Sequence, residues 1–184
     1  VSRGLGDVYK RQPQYVSRSK EVRQIERDRE AGKALPEEVR NVYAALTKAG
    51  VKNDPANTDI GSTIFANMPG DGSAREQAAS CQRVMGASAN FAKQYATKRY
   101  RSNCINWGMT PFLVENPEVF ALGDYIFIPG LRQAVLENKT SFSAYVVKAD
   151  GTVTEFPVST GALTEPERQI IADGCLINYY RNNQ

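Results

Sequence analysis

The sequence contains no histidine. Any general acid or base must therefore be a carboxylate, a lysine, a tyrosine or an activated hydroxyl. Its three cysteines, Cys81, Cys104 and Cys175, are odd in number and far apart, and no C-x-x-C occurs. That usage argues against a disulfide framework, and against a zinc or iron–sulfur site held by this chain alone. A reducing, cytoplasmic setting is the simplest reading. No stretch approaches the ~18 consecutive apolar residues that a membrane-spanning helix needs, so no membrane partner is expected. A formal net charge of +3 permits an anionic ligand. It is far from the dense basic footprint of most nucleic-acid binders, so nucleic acid is not the expected partner.

What is present suits a globular α/β chain. The 184 residues are 41% hydrophobic and 23% charged, enough for a compact domain with a real core and some additional length. The chain opens at Val1 with VSRGLGDVYKRQ, which lacks the apolar centre and cleavage motif of a signal peptide. It is similar to translated adapter sequence, so residues 1–12 are read as a non-native scar outside the fold, replacing lost upstream sequence.

Residues 13–58 read as a helical linker. RSKEVRQIERDREA is charged nearly all round, with Val22 and Ile25 its apolar positions, and Gly32 closes it. A firmer helix follows, with Pro36 at its first position and Gly50 beyond its last turn. Val39, Val42, Tyr43 and Leu46 fall at i, i+3, i+4 and i+7, giving one apolar stripe. From Asp59 onward β-prone and helical patterns alternate. STIFA (62–66), ASANFA (87–92) and DYIFI (124–128) read as strands, and Asp150-Gly151 marks a hairpin turn within SAYVVKADGTVTEFPV. Helices are expected from about Ala74 to Met85 and over YATKRYRSNCINW, the latter capped by Gly108. A last helix opens at Thr164, where Thr164 and Glu167 fit a capping box around Pro166.

The stretch PGDGSAREQ (69–77) is the candidate site. A strand, a glycine-rich turn and a helix N-terminus place free backbone N–H groups and the positive end of the helix dipole together, which suits an anion. Gly70 and Gly72 let the backbone turn tightly. Ser73 and Glu76 fit an S-x-x-E capping box, so the purely structural reading makes Ser73 an N-cap. Arg75 is an odd choice for a first helical turn unless an anion compensates it, and its guanidinium fork suits a carboxylate. The plain alternative is a surface arginine paired with Asp71 or Glu76.

These residues carry a resemblance. Gly70-Asp71-Gly72-Ser73-Ala74-Arg75-Glu76 resembles the G-x-G-S-S-R-E motif of the C-terminal swivel domain in the aconitase superfamily, most closely its bacterial hydratase branch. Tyr95 to Asn103, then Ile105-Asn106-Trp107-Gly108-Met109-Thr110-Pro111-Phe112, are similar to that domain's next helix and its exit. Leu122-Gly123-Asp124 and the closing ERQIIADGCLINYYR also fit, so the likeness spans roughly residues 59–182. It implies an α/β swivel domain of mixed strands with flanking helices, in the C-terminal part of a hydro-lyase acting on a hydroxy di- or tricarboxylic acid. Ser73 would be the catalytic base, with Arg75, Gly72 and Ala74 around the substrate. Ala74 stands where the family commonly has a second serine, which removes one hydroxyl contact. The resemblance also implies a [4Fe-4S] cluster in the parent enzyme, with its cysteine ligands on upstream domains. This chain alone would then be inactive.

Two other readings stay open: the small subunit of an isopropylmalate-dehydratase-type enzyme, and a non-catalytic module binding RNA through Lys93, Lys98, Arg99 and Arg101. That basic run reads more simply as a solvated helix face against other domains. Phe91, Tyr95 and Tyr100 read as core or interface, Cys81 and Cys104 as small buried hydrophobes, and Trp107 and Phe112 as packing residues.

Overall fold

The structure is a computed structural model that describes residues 5–183, with side chains described from Ser17 onward. Of the expected scar at 1–12, residues 1–4 lie outside the described residues. Two helices come first, α1 (Leu5–Glu30) and α2 (Glu37–Lys48). In α2 the expected stripe is formed, with Val39, Tyr43 and Leu46 buried. Pro36 stands just before the helix rather than inside it, in extended conformation (φ −55°, ψ 153°). Although α1 is mostly charged, Val22 and Ile25 are buried, with Ser19 one turn earlier on the same side.

Both helices are anchored to the rest of the chain. Arg18 donates to Glu38 Oε1 at 2.8 Å and to the Tyr125 hydroxyl at 2.7 Å. Glu26 pairs with Arg29 and accepts the Ile60 backbone N–H at 2.9 Å. The segment read as a linker therefore supplies part of the core.

Two consecutive βαβ units follow: β1 (Ser62–Ala66), α3 (Arg75–Val84), β2 (Ala87–Ala92), α4 (Lys98–Asn106) and β3 (Thr110–Leu113). These three strands are parallel. The remainder comprises β4 (Tyr125–Phe127), α5 (Leu131–Leu136), β5 (Ser141–Val147), β6 (Val153–Ser159), α6 (Glu165–Asp173) and α7 (Leu176–Asn182). The six strands form one mixed sheet in the order β1-β2-β3-β6-β5-β4. The chain is thus α/β. The hairpin forms where expected, from Ser141↔Ser159 to Val147↔Val153, with Gly151 at φ +82° in its turn. The parallel and antiparallel halves meet at one register pair, Leu113↔Ser159. Arg101 reinforces that junction from α4, donating to the carbonyls of Thr160 (3.2 Å) and Ala162 (2.9 Å).

Three local expectations are corrected. Residues 110–113, read as a helix exit, form β3. YATKRYRSNCINW is not helical throughout: α4 starts at Lys98, because the Thr97 hydroxyl accepts the Tyr100 N–H and fixes the helix start there. The last helix is two, α6 and α7, broken at Gly174, which takes the left-handed conformation (φ 87°). The capping box at Thr164 and Glu167 is formed as the residue pattern requires.

The main core joins the strands to α4, α5 and α6 through residues such as Phe112, Phe142, Val146, Ile105 and Ile170. Phe91 stacks on Phe112 with ring centroids 5.0 Å apart. Val147, next to Val146 and on the other side of β5, enters a second cluster with Tyr43 and Leu46 of α2. Burying one such large side chain contributes roughly 1.5–3 kcal/mol, so α2 is a working part of the fold.

Candidate functional site

The stretch 67–74 connects the C-terminal end of β1 to α3. Ligands of open α/β sheets bind outside the carboxyl ends of parallel strands, so the topology puts this loop in a favoured position. The loop is held from beneath. Gly70 has φ +96°, and a Cβ there would lie 2.5 Å from Cβ of Tyr100, so glycine is required on both counts. Its carbonyl accepts from Arg75 Nε (3.0 Å) and from the Thr97 hydroxyl (3.2 Å). Two further bonds tie the loop to the segment after β2: Gln94 N–H to Asn67 O (3.0 Å) and Ala96 N–H to Pro69 O (2.9 Å).

A buried polar cluster supports Tyr100. Asn90 is fully buried and donates to the Tyr100 hydroxyl (3.2 Å) and to Gln82 Oε1 (3.0 Å). Gln82 in turn donates to the Tyr100 hydroxyl (2.9 Å), and the Tyr95 hydroxyl donates to the Asn90 carbonyl (3.0 Å). Burial pushes the phenols of Tyr95 and Tyr100 upward, so both remain neutral hydrogen-bonding groups. Asn90, Gln82 and Thr97 had not been singled out. The available signal was the asparagine within ASANFA, a polar residue in an otherwise apolar strand that must find partners when buried.

The capping box at Ser73 is not formed. Residue 74, not 73, occupies the N-cap position of α3, and Ala74 has no side-chain acceptor to offer. Glu76 is therefore the second helical residue rather than the third, one position too early to reach back to Ser73. It turns instead to Trp107, whose indole N–H donates to Glu76 Oε1 at 2.6 Å. The contrast with α4 and α6, both capped by threonine, is direct. Gly72, Ser73 and Ala74 are exposed, and the amides of Arg75, Glu76 and Gln77 meet no protein acceptor among the described residues.

Arg75 is half-buried and forms no ion pair with Asp71 or Glu76 among the described residues. Its Nε is spent on Gly70 O, which fixes the guanidinium beside the loop, and its terminal nitrogens bond to no protein acceptor among the described residues. Three helix amides, a guanidinium and the Ser73 hydroxyl thus lie on one short stretch of chain, groups of the kind that accept a carboxylate.

Other expected groups are distributed as follows. Lys93, Lys98 and Arg99 are exposed, but Arg101 leaves the basic run, since its guanidinium serves the β6–α6 connection and pairs with Glu167 (3.4 Å). Phe91, Tyr100 and Phe112 are core, and Trp107 packs beside Cys104 and Met109. Cys104 is fully buried, and burial pushes its thiol up to about 12. Cys81, expected to be buried, is exposed, because α3 turns that position away from the sheet while Ala79 faces inward. Among the described residues no three His, Cys, Asp or Glu side chains converge on a point that could hold a metal ion. No described helix is long and apolar enough to cross a membrane.

Compared with known proteins, the chain matches no family model, and it matches no curated protein.

Proposed function

We propose that residues 59–182 are the swivel domain of an aconitase-like hydro-lyase, with α1 and α2 as the connection to upstream domains. The observation that carries this reading is the start of α3. A helix whose first turn has no cap, an exposed serine and an arginine braced by a loop carbonyl are gathered at the carboxyl end of a parallel strand. Arg75 and the α3 amides hold a substrate carboxylate. Ser73, beside that positive field, takes the proton from the carbon next to it. A serine hydroxyl is a weak base until its anion is stabilised, and helix amides with a guanidinium provide that stabilisation. Ala74 offers no hydroxyl, which leaves room for a methyl or hydrogen where a related site would donate a bond.

The resemblance puts the ligands of the iron–sulfur cluster on upstream domains, where the cluster would act as the Lewis acid that draws off the substrate hydroxyl. In this chain Cys81 is exposed on α3 and Cys104 is buried within α4, and no ligand trio is present among the described residues.

Titration of the ¹⁵N-labelled chain with citrate tests the site directly. The amides of residues 72–77 should shift in a saturable way, and Arg75→Ala should abolish the response. Equal shifts with sulfate, or none at these amides, would remove the carboxylate site.

A further inference from the structure

A cleft of about 480 Å³ lies between α1, α2 and the strands, and no residue of 69–77, α3 or α4 lines it. Its walls are apolar, with Val22, Leu46, Phe91, Phe112, Ile128 and Leu131 among them. Seven hydroxyl-bearing side chains interrupt this lining, and two serines, Ser19 on α1 and Ser62 on β1, stand apart from the rest. Ser19 Oγ and Ser62 Oγ are both buried, and neither has a hydrogen-bond partner among the described residues. Ser19 is only 1% exposed, and a buried hydroxyl without a partner is an unfavourable arrangement that natural structures rarely keep without reason.

The charges at the rim are already matched. Arg18 is engaged by Glu38, Glu21 and the Tyr125 hydroxyl. Asp124 accepts the Ala121 N–H and pairs with Lys148 at 3.5 Å, while Asp59 pairs with Arg29. A charged ligand would have to break one of these pairs and lose its own hydration in an apolar cavity. A neutral ligand meets no such obstacle. The volume falls within the range of small-molecule sites, whose pattern is apolar walls with a few placed polar groups.

We propose that this cleft is a second binding site, for an uncharged amphiphile with an aliphatic or aromatic body and one or two hydroxyl, carbonyl or amide groups. The body packs on Ile60, Ile128 and Leu131, which line the cleft and keep accessible surface, and the polar group supplies the partner that Ser19 and Ser62 lack. This site is independent of the Ser73 reading, because the two share no residue.

The test uses the whole chain and a series of 1-alkanols from hexanol to decanol, followed by NMR titration of backbone amides and methyl groups. Saturable shifts are expected at Ser19, Ser62, Val22 and Leu46. Affinity should rise about fourfold for each added methylene until the cleft is full. Octanoate should bind at least tenfold more weakly than octanol, from the cost of burying its charge. Ser62→Ala, which removes the hydroxyl and leaves the rest of the side chain, should weaken octanol binding about two- to tenfold. Absence of saturable binding by any alkanol would overturn the proposal. So would equal binding of octanol and octanoate, or octanol affinity unchanged in the Ser19→Ala, Ser62→Ala double variant. The chain-length and charge comparisons are made on the unaltered protein, so they stand even if a variant fails to fold.

Discussion

The indole N–H of Trp107, just after α4, donates to the carboxylate of Glu76 in the first turn of α3 at 2.6 Å. This bond ties together the two crossover helices of the parallel half-sheet, and it takes the acidic side chain of that first turn away from the helix end. Ser73 is left with no structural duty as a cap.

A stability comparison follows from that geometry. Ser73→Ala should change unfolding free energy by no more than about 0.5 kcal/mol, as for an ordinary surface site. Thr164→Ala should cost about 1 kcal/mol, because its capping box is formed. Urea denaturation of both variants checks this. A loss at Ser73 equal to that at Thr164 would mean that the hydroxyl caps α3 after all.

Gly70→Ala should be among the most damaging single-methyl changes in the chain. It places a side chain at φ +96° and drives it against Tyr100. We expect a loss above about 2 kcal/mol from strain and overpacking together. Displaced amide resonances for Thr97 and Tyr100 would show that the loop and α4 move as one, whereas near-wild-type stability would contradict the packing described here.

Arg101 should separate from its basic neighbours. Its guanidinium serves two backbone carbonyls and Glu167, so Arg101→Ala should cost roughly 1.5–3 kcal/mol. Lys98→Ala and Arg99→Ala, both at exposed positions, should each stay within about 0.5 kcal/mol. Thermal or chemical unfolding of the three variants tests the division.

Alkaline pH should weaken the fold through Cys104. Its folded-state value of about 12 lies above the ordinary thiol value near ~8.5. The buried neutral thiol therefore contributes stability that is complete below ~8.5 and is lost as pH rises toward 12, by up to about 1.4 kcal/mol per pH unit. Tyr125 acts in the same direction, since burial pushes its phenol up to about 12 against the pull of Arg18. The urea midpoint should fall between pH 8.5 and 11, and less steeply in Cys104→Ala. At pH 8 a thiol reagent should modify exposed Cys81 in the folded protein and reach Cys104 only after unfolding.

In an enzyme assembled with cluster-bearing domains, Ser73 and Arg75 should divide the kinetics. Ser73→Ala should lower kcat with little change in KM, because a base acts in the transition state. Arg75→Lys keeps the charge but loses the fork, so it should act mainly on KM. Since Ser73 is not a cap, a kcat loss cannot be ascribed to instability, and unchanged kcat would remove the serine from the chemistry.

Elements with strong local signals were legible in the sequence: the Asp150-Gly151 hairpin, the Thr164 capping box and the α2 stripe each depend on residues close together in the chain. Positions set by distant contacts were not. Whether Ser73 caps α3 depends on where that helix starts, and Glu76, the expected partner of Ser73, is bonded to Trp107, 31 residues away. The four-residue strand β3 carries Pro111 and too little β pattern to stand alone, and its pairing with β2 makes it a strand. The burial of Val22 and Ile25 was hidden by the charges around them, because two apolar positions give a weak stripe until Ile25 joins Tyr43, Phe127 and Val147.

The lone register pair between Leu113 and Ser159 divides the sheet into blocks that are each continuous in the chain, residues 62–113 and 125–159. Each block draws its strand pairings from near neighbours in sequence, and the long-range closure between them is left to one ladder step, the Arg101 contacts and the aromatic core. Loop closure over such distances is slow compared with hairpin and crossover formation. The seam between the two blocks, the narrowest join in the sheet, is where we expect the sheet to come apart first when it is pulled or heated.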